Sequence, residues 1–129
     1  MQTAHKGIVA IVDDDGRTLE SLGDLLEAAG FVVRAYSSAT ALVHEHGLAG
    51  IDCLVSDIGM PDMSGLELRK IATMESPDLP VILITGRPTA ARPATSDIGP
   101  ARYFEKPYDG RKLVAAISAV IADARGKRS

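Results

Sequence analysis

The chain has 129 residues, 46% of them hydrophobic, and a formal net charge of −3. This length is typical of one domain, and such a domain buries roughly two thirds of its unfolded surface without a disulfide framework. The single cysteine, Cys53, suits a reducing cytoplasm. The slight acidity argues against a nucleic-acid-binding surface, and we find neither a long apolar run that predicts a membrane span nor a signal peptide.

Five apolar runs predict strands. The first, third and fourth consist almost entirely of Val, Ile and Leu, a pattern typical of strands buried on both faces of a parallel sheet. In chain order the predicted strands are Gly7–Val12, Phe31–Tyr36, Ile51–Ser56, Pro80–Thr85 and Arg102–Glu105.

Helix signals separate these strands. Capping residues precede apolar residues that recur every three or four positions, and glycines follow two of the helices. The predicted boundaries are a cap at Asp15 with a stop at Gly30, a second helix from Ser38 to His46 closed by Gly47, a capping box at Ser64 and Glu67, and a last cap at Asp109. This alternation predicts an α/β domain, with a parallel sheet that carries helices on both faces.

The segment between the fourth and fifth strands does not follow this pattern. It contains Pro88, Pro93 and Pro100, and its one large apolar side chain is Ile98. A proline in the helix interior costs about 3 kcal/mol, more than burial of one aliphatic side chain is expected to offset. We therefore expect residues 88–100 to lack a regular helix of three turns and to be mobile.

Polar residues cluster where the predicted strands end. Asp13 and Asp14 follow the first strand, Asp57 the third and Lys106 the fifth, while Thr85 ends the fourth. In an open parallel sheet these ends share one edge, and ligands bind there at the point where the strand order reverses. Clustered carboxylates suit Mg²⁺, which prefers oxygen ligands. The lysine and the threonine hydroxyl suit a phosphate group.

Four stretches in this order, VDDD, VSDIGMPDMSG, LITG and YFEKPY, resemble the motifs of the receiver domain of bacterial two-component response regulators. The resemblance covers residues from about 7 to 122. It implies a doubly wound, flavodoxin-like sheet of five parallel strands in the order 2-1-3-4-5. The irregular segment departs from the family, whose fourth helix lies at this position. It also implies a phosphorelay switch that accepts a phosphoryl group from a phosphohistidine.

The resemblance assigns the central chemistry to two residues. Asp57 would be the phosphoacceptor, and Lys106 would match the family's lysine. The bond from Lys106 to Pro107 would be cis, which an X-Pro bond allows at low cost.

The metal and switch positions follow from the same resemblance. Asp14, Asp57 and the backbone carbonyl of Gly59 would bind Mg²⁺, or Mn²⁺ in its place, and Asp13 would act largely through water. Thr85 would match the switch hydroxyl, and Tyr103 would be either the switch aromatic or a plain core residue.

The partners implied are a sensor histidine kinase or a phosphotransfer protein, and a downstream protein or an output domain. We expect residues 1–124 to form the receiver domain and residues 125–129 to be a basic tail or the start of a linker, so the chain would be a stand-alone receiver or part of a longer regulator. We expect no enzymatic turnover.

The leading alternative is a degenerate receiver that binds proteins without phosphorylation. A flavin carrier is disfavoured because the acidic pair would repel its phosphate, and an aspartyl phosphatase because its nucleophile normally follows the first strand.

Overall fold

The structure, a computed structural model, describes residues 6–86 and 102–128. The segment 88–100, for which the sequence predicts no regular helix, lies outside the described residues, and that expectation stays a prediction. Among the described residues, no helix has both the length and the apolar character needed to cross a bilayer.

Five parallel strands form one sheet in the order β2-β1-β3-β4-β5, as predicted. Their bounds are β1 Ile8–Val12, β2 Val32–Tyr36, β3 Cys53–Asp57, β4 Val81–Thr85 and β5 Tyr103–Glu105. The described helices, numbered in chain order, are α1 Gly16–Ala28, α2 Ala39–His44, α3 Gly65–Glu75 and α4 Gly110–Arg128.

The sheet separates two hydrophobic clusters. Alternate residues of a strand point to opposite faces, so Val9 and Ile11 pack towards α1 and α4, whereas Ala10 and Val12 pack towards α2 and α3. Leu26 and Ile117 fill the first cluster and are fully buried. Each such aliphatic side chain stabilises the fold by roughly 1.5–3 kcal/mol. This burial on both faces explains why the central strands are continuously apolar.

All four predicted helix starts carry a side chain that accepts a hydrogen bond from a backbone N–H of the first turn. The Asp15 carboxylate accepts a hydrogen bond from the backbone N–H of Arg17 at 2.9 Å. Ser64 and Glu67 form the reciprocal capping box at the start of α3. The Ser38 hydroxyl caps α2. Before α4, the Asp109 carboxylate accepts from the backbone N–H of Arg111 at 2.9 Å, as a cap would.

The predicted end of α2 is wrong. The helix ends at His44 rather than at His46, and His46 takes a left-handed conformation with φ of 55°. Gly47 does not supply the turn conformation expected of it. It still closes the helix, because its backbone N–H donates to the Leu42 carbonyl oxygen at 2.8 Å. A Cβ at this position would lie 2.8 Å from the Tyr36 hydroxyl oxygen.

The last helix continues through Arg128. The residues interpreted as a tail therefore continue α4 as far as the structure describes them. Arg125 lies 3.8 Å from a carboxylate oxygen of Asp52 and is half exposed. The domain boundary placed after Ala124 stays a prediction.

Candidate functional site

Three carboxylates meet at the carboxyl edge of the sheet. β1 and β3 are adjacent, with Val12 paired with Ser56, so Asp13 and Asp57 leave the sheet side by side. One carboxylate oxygen from each of Asp13, Asp14 and Asp57 lies within 4.8 Å of the others. Asp13 and Asp57 are buried, whereas Asp14 is exposed.

The three consecutive aspartates have different tasks. Asp15 caps α1, and its own backbone N–H donates to Asp13 Oδ1 at 2.9 Å. This bond holds the turn that follows β1. Asp13 and Asp14 are the two members of the triplet that join Asp57, so the triplet divides between helix capping and the cluster, as predicted.

Lys106 provides a positive charge to this cluster. Its Nζ lies 3.1 Å from Asp13 Oδ2 and 3.5 Å from Asp57 Oδ1. Its backbone N–H donates to the carbonyl oxygen of Thr85 at 2.8 Å, which extends the pairing of β4 with β5 to the site. The peptide bond between Lys106 and Pro107 is cis.

The cluster carries more negative than positive charge. Burial raises the pKa of Asp57 first of all, and the charge of Asp13 raises it further, while Lys106 opposes both effects. Burial alone would lower the pKa of Lys106, but its hydrogen bond and charge interaction with Asp13, together with the Asp57 charge, outweigh burial and raise it. Lys106 is thus held as a cation, whereas burial and the neighbouring carboxylates disfavour the charged form of Asp57.

An open cavity of about 590 Å³ gives access to these groups. Asp14, Asp57, Gly59, Thr85 and Lys106 line it. The hard oxygen donors on one side suit a divalent cation of the Mg²⁺ type, and the ammonium group on the other suits an anionic oxygen. The residues present therefore fit both a metal ion and a phosphoryl group.

Tyr103 lies apart from the cavity lining. It is partly buried in β5 and packs against the core cluster on the side of α2 and α3. This position agrees with a core role, one of the two roles considered from the sequence.

Sequence reasoning missed Ser56. Its side chain is buried, and its hydroxyl donates to the backbone carbonyl oxygen of Asp57 at 2.9 Å. The available signal was a single hydroxyl residue in an otherwise apolar strand, directly before the acidic residue.

A comparison with known protein families finds a match over residues 9–118 to the family described as the response regulator receiver domain. The chain belongs to this family. The receiver domain is 33% identical over 120 residues to the response regulator protein TmoT of Ectopseudomonas mendocina, a match that covers 91% of the chain and 54% of TmoT. It is 36% identical over 114 residues to the transcriptional regulatory protein FixJ of Azorhizobium caulinodans, covering 86% of the chain and 53% of FixJ.

Solved receiver structures have the same fold. Full-length FixJ from B. japonicum superposes with a TM-score of 0.85 at 29% identity, over 97% of this chain and 62% of FixJ. A CheY-like receiver domain protein from Methanospirillum hungatei gives a TM-score of 0.83 at 26% identity, over 93% of this chain and 97% of the other. This receiver domain spans about half the length of the curated relatives described above.

Proposed function

We propose that this receiver domain is a phosphorelay switch in which Asp57 accepts a phosphoryl group with the help of a bound Mg²⁺. The observation that carries the proposal is the meeting of three carboxylates and one lysine at an open cavity. A histidine kinase or a phosphotransfer protein with a phosphohistidine would be the donor. An output domain or a separate protein would read the result, and the protein would not turn over a substrate.

The proposed transfer forms a bond between an Asp57 carboxylate oxygen and phosphorus, while the bond from phosphorus to the imidazole nitrogen of the donor breaks. The imidazole nitrogen keeps the electron pair and takes up a proton. Phosphoryl transfer needs mainly positioning and charge neutralisation. Lys106, whose Nζ lies 3.5 Å from Asp57 Oδ1, would neutralise the charge of one phosphoryl oxygen. The Thr85 hydroxyl would donate a hydrogen bond to another phosphoryl oxygen.

Asp14, Asp57 and the Gly59 carbonyl would hold Mg²⁺, and Asp13 would act largely through water. These three protein ligands would leave about three positions for water or for a phosphoryl oxygen, whose charge the metal ion would help to neutralise. After transfer, the aspartyl phosphate adds charge and strong acceptor oxygens, to which the Thr85 hydroxyl would turn. The Tyr103 ring would change its position after phosphorylation only if its packing against the core cluster loosened.

Chemical phosphorylation tests the proposal. Incubation with acetyl phosphate and Mg²⁺ should add one base-labile phosphoryl group, measured by intact mass, and Asp57→Asn should abolish it. Unchanged labelling of Asp57→Asn would place the acceptor elsewhere. If the wild type takes up no phosphoryl group, the alternative of a phosphorylation-independent binding module is favoured instead.

Calorimetric titration tests the metal ligands separately. Mg²⁺ should bind the wild type with modest affinity, and Asp14→Ala should remove most of that binding. Equal binding by both proteins would exclude Asp14 as a direct ligand.

A further inference from the structure

The backbone that follows Asp57 is held by neighbouring elements. The Ile58 N–H donates to the carbonyl oxygen of Ile84 in β4 at 2.8 Å. The Ile58 carbonyl oxygen accepts from the N–H of Gly65 at 3.0 Å and of Met60 at 3.1 Å. The short segment that carries both Asp57 and the Gly59 carbonyl is therefore anchored to β4 on one side and to the first residue of α3 on the other.

Gly65 allows an unusually close approach at this anchor. A Cβ on Gly65 would overlap the backbone carbonyl oxygen of Asp57, and it would lie 3.0 Å from both the Asp57 carbonyl carbon and the Ile58 Cα. These are backbone atoms, so no side-chain rotation can relieve the overlap. Either the start of α3 or the segment after β3 would have to move.

Ser56 acts on the same atom. Its side chain is buried, at 1% residual exposure, and its hydroxyl donates to the Asp57 carbonyl oxygen at 2.9 Å. The Asp57 carbonyl oxygen thus accepts a hydrogen bond from Ser56 and occupies the space that a Cβ on Gly65 would need. Two independent features fix the orientation of the peptide group that leads from Asp57 towards Gly59.

We propose that Gly65 and Ser56 are positioning residues that set the Asp57 carboxylate and the Gly59 carbonyl at the separation a bound Mg²⁺ requires. This inference rests on the proposed function. Mg²⁺ demands near-ideal octahedral geometry and tolerates misplaced ligands poorly. Mutation of residues that hold metal ligands in place without binding the metal typically lowers metal affinity by about 10–100-fold.

Gly16 provides a matched control for Gly65. Both glycines are the first residue of a helix and follow a capping side chain. A Cβ at Gly16, however, would meet nothing within 4 Å. Gly16→Ala and Gly65→Ala are therefore the same chemical change at the same helix position, and they differ in whether the added methyl group reaches the Asp57 backbone.

The test measures Mg²⁺ affinity by calorimetry and the initial rate of acetyl phosphate labelling across Mg²⁺ concentrations. Both use proteins shown to be folded by circular dichroism. Gly65→Ala should weaken Mg²⁺ binding on the order of tenfold. It should raise the Mg²⁺ concentration needed for half-maximal labelling by the same factor. Gly16→Ala should stay within about twofold of the wild type on both measures. A change confined to thermal stability in EDTA would instead mean a merely structural role and would overturn the proposal.

Ser56 keeps the inference testable if Gly65→Ala does not fold. Ser56→Ala should weaken Mg²⁺ binding in the same way, and Ser56→Thr, which keeps the hydroxyl, should restore it. Wild-type affinity in Ser56→Ala and in a folded Gly65→Ala would overturn this inference while leaving the proposed function intact. A wild-type protein that neither binds Mg²⁺ nor takes up phosphoryl would overturn both.

Discussion

The crowding of Asp57 predicts that removing its charge stabilises the metal-free protein. Asp57→Asn keeps the shape of the side chain and removes one negative charge from a cluster in which carboxylate oxygens are at most 4.8 Å apart. At that separation each carboxylate pair repels by about 0.9 kcal/mol in water and about 3.5 kcal/mol at an effective permittivity of about 20. The substitution relieves two such repulsions, those with Asp13 and Asp14.

The same change also removes an attraction. Lys106 lies 3.5 Å from Asp57 Oδ1, which corresponds to about 1.2 and 4.7 kcal/mol in the same two limits. The net stabilisation is then about 0.5–2 kcal/mol. Water screens the charge of the exposed Asp14, and the more completely it does so, the closer the net stabilisation lies to the lower value. The burial of Asp57 acts in the same direction, because a neutral amide is less costly to desolvate than a carboxylate.

Denaturant unfolding at neutral pH in EDTA measures this difference. Asp57→Asn should exceed the wild type in free energy of unfolding, while Mg²⁺ at ten times its dissociation constant should stabilise the wild type by about 1.4 kcal/mol and the variant much less. Asp62→Asn is the control, because Asp62 is an exposed residue of the loop after β3 and lies outside the cluster. An Asp57→Asn protein less stable than the wild type in EDTA would refute the electrostatic reasoning.

Three further predictions concern Lys106, the pH dependence of stability and Cys53. Lys106→Met should slow acetyl phosphate labelling by at least about 100-fold, the loss that enzymes show when one charge-stabilising donor is removed. Lys70→Met on the exposed face of α3 should label at the wild-type rate. The raised pKa of Asp57 means that the folded protein holds this proton more tightly than the unfolded chain. In EDTA the free energy of unfolding should therefore fall as the pH rises from the ordinary value of 3.8 through the raised folded value, and urea titrations should show this fall in the wild type and its loss in Asp57→Asn. Burial raises the pKa of the Cys53 thiol to about 12, so iodoacetamide at pH 8 should leave native protein unmodified and label it after unfolding; labelling of the native state would contradict the burial.

Much of the fold was determined locally. The continuous apolar strands, the caps at Asp15 and Ser64 and the turn at Gly30 each depend on residues a few positions apart. Such signals predict parallel strands alternating with helices, and the motifs at the strand ends predict which polar residues share one edge. The cluster of Asp13, Asp14 and Asp57 follows from that reasoning once β1 and β3 are neighbours.

Contacts between distant segments were decided only by the tertiary structure. His46 rather than Gly47 takes the left-handed conformation after α2, and Gly47 lies close to the Tyr36 hydroxyl from β2. In the same way, the sequence gives no sign that Gly65 touches the Asp57 backbone. A glycine is compatible with a turn, a helix start or a close approach, and local pattern cannot distinguish these because the atom that excludes a side chain belongs to another part of the chain.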